Sequence, residues 1–95
     1  FMNHPFLLFS GTSHLHFAKE VARYLEISLG RIHFEPFPDG EISVQILENV
    51  RGRDVFVIQS IAHEPNNYLL ELLILIDAFK RASANSITAV MPYFG

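Results

Sequence analysis

The residues best placed to do chemistry lie in one short stretch, Phe34 to Val44, around Phe37, Pro38, Asp39, Gly40 and Glu41. Pro-Asp-Gly is turn chemistry: Pro38 presets φ, Asp39 can bond the local backbone, and Gly40 can take the left-handed conformation that closes a loop. An aromatic ring flanked by carboxylates could stack a purine and accept hydrogen bonds from its amino group or from ribose hydroxyls. The plainer use of Phe37 is packing against a neighbouring element or subunit, and spacing alone leaves both open. Glu35, Asp39 and Glu41 could likewise chelate magnesium through a nucleotide, or stand as solvated turn carboxylates.

Other candidates are weaker. Ser10-Gly11-Thr12-Ser13 is a small polar loop entering a helix, able to hold phosphate on free amides or to serve as a plain strand-to-helix turn. It has one glycine, no P-loop or GxGxxG pattern and no following lysine. Arg51 and Arg53, in a polar turn from Glu48 to Asp54, could grip a phosphate or simply be solvated. His4, His14, His16, His33 and His63 make no convincing metal set, since His14 and His16 would diverge on a helix. No serine sits in a nucleophile elbow and there is no cysteine, so serine and thiol nucleophiles are not indicated.

These residues need elements to hold them. Facing decides the hairpin. A three-residue loop (Pro38, Asp39, Gly40) pairs Ile32 with Ile46, Phe34 with Val44 and Pro36 with Ile42 on an apolar face, leaving His33 with Gln45, Glu35 with Ser43 and Phe37 with Glu41 on a wet one. A two-residue loop would mix polar with apolar. Pro36 lacks an N–H, so the ribbon, about residues 31–47, belongs at an edge or projecting from the sheet.

Around it, Phe6 to Phe9 reads as a buried strand, with Thr12 or Ser13 available to cap the helix that follows. That helix carries Leu15, Ala18, Val21, Ala22 and Leu25 at helical spacing, with Gly30 beyond its end. Val55 to Ile58 reads as a second buried strand. A helix from about Tyr68 to Arg81, capped by Asn66 or Asn67, is apolar almost all round and so needs covering on most sides, by a partner surface as well as the sheet. Ile87 to Met91 reads as a third buried strand. Strands alternating with helices predict a three-layer, mainly parallel α/β sheet with an attached antiparallel hairpin, in one domain spanning 1–95. Beyond the carboxyl ends of such strands is where ligands collect.

Composition narrows the function classes. The chain is 49% apolar and 18% charged, as suits a folded domain of 95 residues, and its net charge of −3 offers a polyanion nothing, so nucleic acid is not a partner. The longest apolar run, Leu72 to Ile76, is too short to span a bilayer, and no signal peptide is visible, so no membrane partner and a cytoplasmic location are expected.

Several segments together resemble one family, the ribose-phosphate pyrophosphokinases or phosphoribosyl pyrophosphate synthetases. They are Phe9-Ser10-Gly11, Phe37 to Glu41, Val50-Arg51-Gly52 with Asp54-Val55, Gln59-Ser60, Glu71-Leu72-Leu73, Lys80 to Ala84, and Thr88 to Pro92 with Tyr93. The resemblance implies an α/β domain of phosphoribosyltransferase type with a projecting antiparallel β-hairpin. It implies transfer of the β,γ-diphosphoryl group of Mg-ATP to C1 of ribose 5-phosphate, with Mg²⁺ as cofactor, in a homo-oligomer, dimer or hexamer. Positions matching Phe37, Asp39 and Glu41 would contact ATP bound in the neighbouring subunit. Those matching Asn49, Arg51 and Ser83 would lie in a regulatory phosphate and ADP site, Asn49 standing where a serine is frequent. Catalytic residues are expected in none of these 95 positions. The family's Tyr-Ala-Arg-Gln-Asp loop follows the Pro92 to Gly95 stretch, so the chain is expected to be an N-terminal piece, inactive alone. Residues 61–64 depart from the family's small-residue loop. A non-catalytic, synthetase-associated regulatory protein is the alternative within the same family.

Overall fold

The computed structural model describes residues 6–36, 42–61 and 65–92. In chain order its elements are β1 (Phe6–Ser10), α1 (Leu15–Tyr24), β2 (Ile32–Pro36), β3 (Ile42–Ile46), β4 (Asp54–Ile58), α2 (Pro65–Arg81) and β5 (Ser86–Val90). β1, β4 and β5 form a parallel sheet in that order, with Leu8 beside Phe56 and Phe56 beside Thr88. β2 and β3 form a separate antiparallel pair. Its register sets Ile32 opposite Ile46, Phe34 opposite Val44 and Pro36 opposite Ile42, the pairing that the facing argument demands.

Strand alternation divides the core in two. Leu7, Phe9, Val55 and Val57 turn to one face, where Leu72, Leu75 and Phe79 of α2 meet them together with Ile32, Phe34, Val44 and Ile46 of the hairpin. The polar side of the hairpin is thus wet because its other side is committed to the core. Phe9 and Phe79 are wholly buried with ring centroids 4.8 Å apart. Each such side chain contributes about 1.5–3 kcal/mol by leaving water. On the opposite face Leu8, Phe56 and Ile58 receive Ala18 and Ala22 of α1, small residues that let the helix approach closely. Three layers result.

Boundaries differ from the sequence reading in instructive ways. α1 begins after His14, which makes no side-chain cap bond, because Thr12 and Ser13 are engaged elsewhere. It closes in a Schellman turn: the Glu26 amide donates to the Arg23 carbonyl at 3.1 Å and that of Ile27 to the Ala22 carbonyl at 3.0 Å, with Glu26 at φ 59°. Gly30 serves packing instead of stopping the helix, since a Cβ there would fall 2.2 Å from Phe9 Cε2. α2 starts at Pro65, ahead of both asparagines, proline being suited to the first helical position.

The third strand is not buried. Ser86, Thr88, Ala89 and Val90 are exposed, because α1 lies over the β1 side of the sheet and no described strand pairs with the outer edge of β5. The all-apolar reading of α2 is also resolved into faces. Leu72, Leu75 and Phe79 are buried, whereas Leu69, Leu70 and Leu73 remain 43–54% exposed.

Candidate functional site

Three places carry the polar groups that sequence reasoning singled out. The first is the hairpin. Its wet face presents His33, Glu35, Ser43 and Gln45 to solvent, with His33 Nε2 2.7 Å from Glu35 Oε1. At the base, Arg31 donates to Glu48 Oε2 through its amide and its Nε, both at 3.0 Å. The Arg31 side chain, and then its amide, hold the Glu48 carboxyl below the usual carboxylate range. This pair ties the two strands together where they leave the core. Phe37, Asp39 and Glu41 lie outside the described residues, as do His4 and His63.

The second place is the amino end of the parallel sheet. Here the turn 49–53 and the connection 82–85 are stitched side by side. Arg51 bridges to Ala84, the Gly52 amide donates to the Ser83 carbonyl at 2.9 Å, and the Asn85 amide donates to the Arg53 carbonyl at 2.8 Å. Asn49 Oδ1 accepts from the Arg51 amide at 3.2 Å and shapes the turn. Ser83 is the left-handed residue of the Schellman turn ending α2, at φ 67°. The structure therefore brings Asn49, Arg51 and Ser83 into one exposed corner, although some thirty residues separate them in sequence. The Arg51 side chain enters no ion pair among the described residues. Beside them, Asp54 Oδ1 accepts from Asn85 Nδ2 at 2.8 Å and Ser86 Oγ at 2.7 Å, bonds that in that order hold its carboxyl below the usual carboxylate pKa range.

The third place is the opposite, carboxyl end of β1 and β4, and it changes the reading of the Ser10 to Ser13 loop. The loop amides are taken. Gly11 donates to the Ile58 carbonyl at 2.9 Å, Thr12 to Glu71 Oε2 at 2.6 Å, and Ser13 to Gln59 Oε1 at 3.2 Å. Thr12 Oγ1 donates to Glu71 Oε1 at 2.6 Å, and Ser13 Oγ to Gln59 Oε1 at 2.7 Å while accepting from the Ser60 amide at 2.8 Å. Gln59 Nε2 closes the knot by donating to Glu71 Oε2 at 2.9 Å and to the Tyr68 carbonyl at 3.2 Å. Gln59 is fully buried and Glu71 is 4% exposed. Sequence reasoning read α2 as apolar almost all round and missed this role of Glu71. The available signal was its spacing: three or four residues from Leu75 and Tyr68, a carboxylate stands on the face that must point inward.

Among the described residues no three His, Asp or Glu side chains gather as a metal cage, and no helix is long and apolar enough to cross a membrane.

Three layers around a parallel sheet with an appended hairpin define a class, the phosphoribosyltransferase-like fold. A solved hypoxanthine-guanine phosphoribosyltransferase from L. donovani, 14% identical, superposes over 90% of this chain and 51% of its own with a TM-score of 0.63, which shows the fold alone. Residues 6–95 match the family model for the N-terminal domain of ribose phosphate pyrophosphokinase, and the chain belongs to that family. The ribose-phosphate pyrophosphokinase of Campylobacter jejuni is 56% identical over 88 residues, covering 93% of this chain and 28% of that protein. The crystal structure of phosphoribosylpyrophosphate synthetase from Mycobacterium smegmatis matches with a TM-score of 0.89 at 42% identity, over 96% of this chain and 30% of its own. The chain thus spans about 28% of the length of the curated relatives it matches.

Proposed function

We propose that this chain is the N-terminal part of a ribose-phosphate diphosphokinase, and that its role there is to present Phe37, Asp39 and Glu41 to Mg-ATP held by a neighbouring subunit. The observation that carries this reading is the hairpin register. With the faces fixed from Ile32 opposite Ile46 up to Pro36 opposite Ile42, the sequence assigns Phe37 and Glu41 to the wet side. An aromatic there has no core to fill and is free for a base. Magnesium enters as the nucleotide's own ion, held by phosphates and one or two carboxylates, of which Asp39 and Glu41 are the candidates. Transfer of the diphosphoryl group to ribose 5-phosphate requires cationic groups around the developing charge. No residue of this chain is assigned to that step.

Asn49, Arg51 and Ser83 form a regulatory corner for phosphate or ADP in this reading. Its support is their convergence at one exposed turn and an arginine with no ion pair among the described residues. The leucines left open on α2 suit a homo-oligomer, dimer or hexamer. In the assembled full-length protein, Phe37→Ala is expected to raise the KM for ATP by about tenfold or more, the scale of one stacked base, with a smaller change in kcat. Unaltered nucleotide affinity would overturn the assignment. The 95-residue chain alone, incubated with Mg-ATP and ribose 5-phosphate, is expected to release no AMP at enzymatic rates.

A further inference from the structure

The β1–α1 loop sits where open α/β sheets commonly take up anions, beyond a strand's carboxyl end and before a helix. Here a carboxylate of the protein already stands there. Glu71 reaches across from the second turn of α2, and each group bonded to it donates: the Thr12 amide at 2.6 Å, Thr12 Oγ1 at 2.6 Å and Gln59 Nε2 at 2.9 Å. No lysine or arginine pairs with it among the described residues. The fit is close, since a Cβ added at Gly11 would fall 2.7 Å from Glu71 Oε2 and 2.1 Å from Gln59 Oε1.

From this geometry we infer that Glu71 is a specificity-determining residue, an internal anion that satisfies the β1–α1 loop and keeps phosphate-bearing ligands off it. Two effects act together. Of the amides that would cradle a phosphate, that of Thr12 is spent on the carboxylate, while those of Gly11 and Ser13 go to the Ile58 carbonyl and to Gln59 Oε1, a side chain itself held by Nε2 on Glu71. A second anion beside the carboxylate also meets like-charge repulsion strengthened by burial. A phosphate-bearing ligand is thereby directed away from the carboxyl end of β1. The inference does not depend on the regulatory reading of Asn49, Arg51 and Ser83, which lie at the other end of the sheet.

The test is a titration of the isotope-labelled chain with inorganic phosphate at constant ionic strength, following amide chemical shifts in wild type and in Glu71→Ala. In wild type the Thr12 and Ser13 amides should not respond. In Glu71→Ala they should move saturably, with phosphate bound at least about tenfold more tightly at that loop than in wild type. A saturable wild-type response at Thr12 and Ser13 overturns the inference, as does a folded Glu71→Ala that shows none. Should the alanine variant fail to fold, Glu71→Gln retains the volume without the charge. A phosphate-dependent rise in its urea midpoint, absent from wild type, supports the inference, and midpoints indifferent to phosphate in both overturn it. Shifts at Arg51 and Ser83 in the same titration report on the regulatory corner separately.

Discussion

The amide of Gly52 donates to the carbonyl of Ser83 at 2.9 Å, and both residues hold positive φ, 72° and 67°. Two left-handed residues from turns far apart in sequence therefore lock one corner, and only one of them is a glycine. A left-handed conformation costs an L-residue roughly 1–2 kcal/mol.

Ser83→Gly should accordingly stabilise the fold by about 1 kcal/mol, and Ser83→Val should destabilise it, since a β-branched side chain fits this region worst. Urea unfolding followed by circular dichroism reads both. A stabilised Ser83→Gly that also loses phosphate response at Arg51 would separate the serine's chemistry from its backbone.

The glycines should rank by what surrounds them. Gly30→Ala puts a methyl 2.2 Å from a ring carbon of buried Phe9, and Gly11→Ala puts one 2.1 Å from Gln59 Oε1. Each is expected to cost about 1–3 kcal/mol through overpacking. Gly52→Ala meets open space and pays only for its φ of 72°, about 1 kcal/mol. Equal losses at all three would contradict the packing account.

Truncating Phe79, fully buried against Phe9, should cost about 3–5 kcal/mol. A domain of this size holds on the order of 5–15 kcal/mol in all, so Phe79→Ala should unfold at much lower urea. Leu73→Ala, on the exposed side of α2, should leave the isolated chain nearly unchanged.

Asp54 gives a pH dependence of known sign. Hydrogen bonds from Asn85 and then Ser86 hold its carboxyl below the usual range, so it binds its proton less readily folded than unfolded. Its contribution is therefore complete above the unfolded value, about 4, and fades as pH falls through the lower folded one. Asp54→Asn should flatten that acid limb of the urea midpoint and leave the midpoint's dependence above pH 6 or so unchanged.

Much of the fold was legible in local pattern. The runs Phe6 to Phe9 and Val55 to Ile58 declare buried strands, and the alternation on either side of Pro38-Asp39-Gly40 fixes the register Ile32 to Ile46 without any tertiary knowledge. The third strand misled for a physical reason: the mostly apolar run Ile87 to Met91 indicates a residue preference, while exposure depends on what lies across the sheet, and α1 packs over the β1 side. The cap of α1 falls at His14 because Thr12 and Ser13 have better partners than their own helix, and α2 starts ahead of its asparagines because proline suits the first helical position.

For the site, sequence alone determined which residue types were on offer and, through periodicity, which side of the hairpin faces water. Tertiary structure decided where they meet: Asn49, Arg51 and Ser83 converge because two turns at the amino end of one sheet exchange backbone hydrogen bonds. It also decided that the Ser10 to Ser13 loop is closed to anions. A carboxylate on α2, some sixty residues on in the chain, supplies the negative charge; spacing along the helix turns it inward, but which loop donates to it is decided only by the tertiary fold.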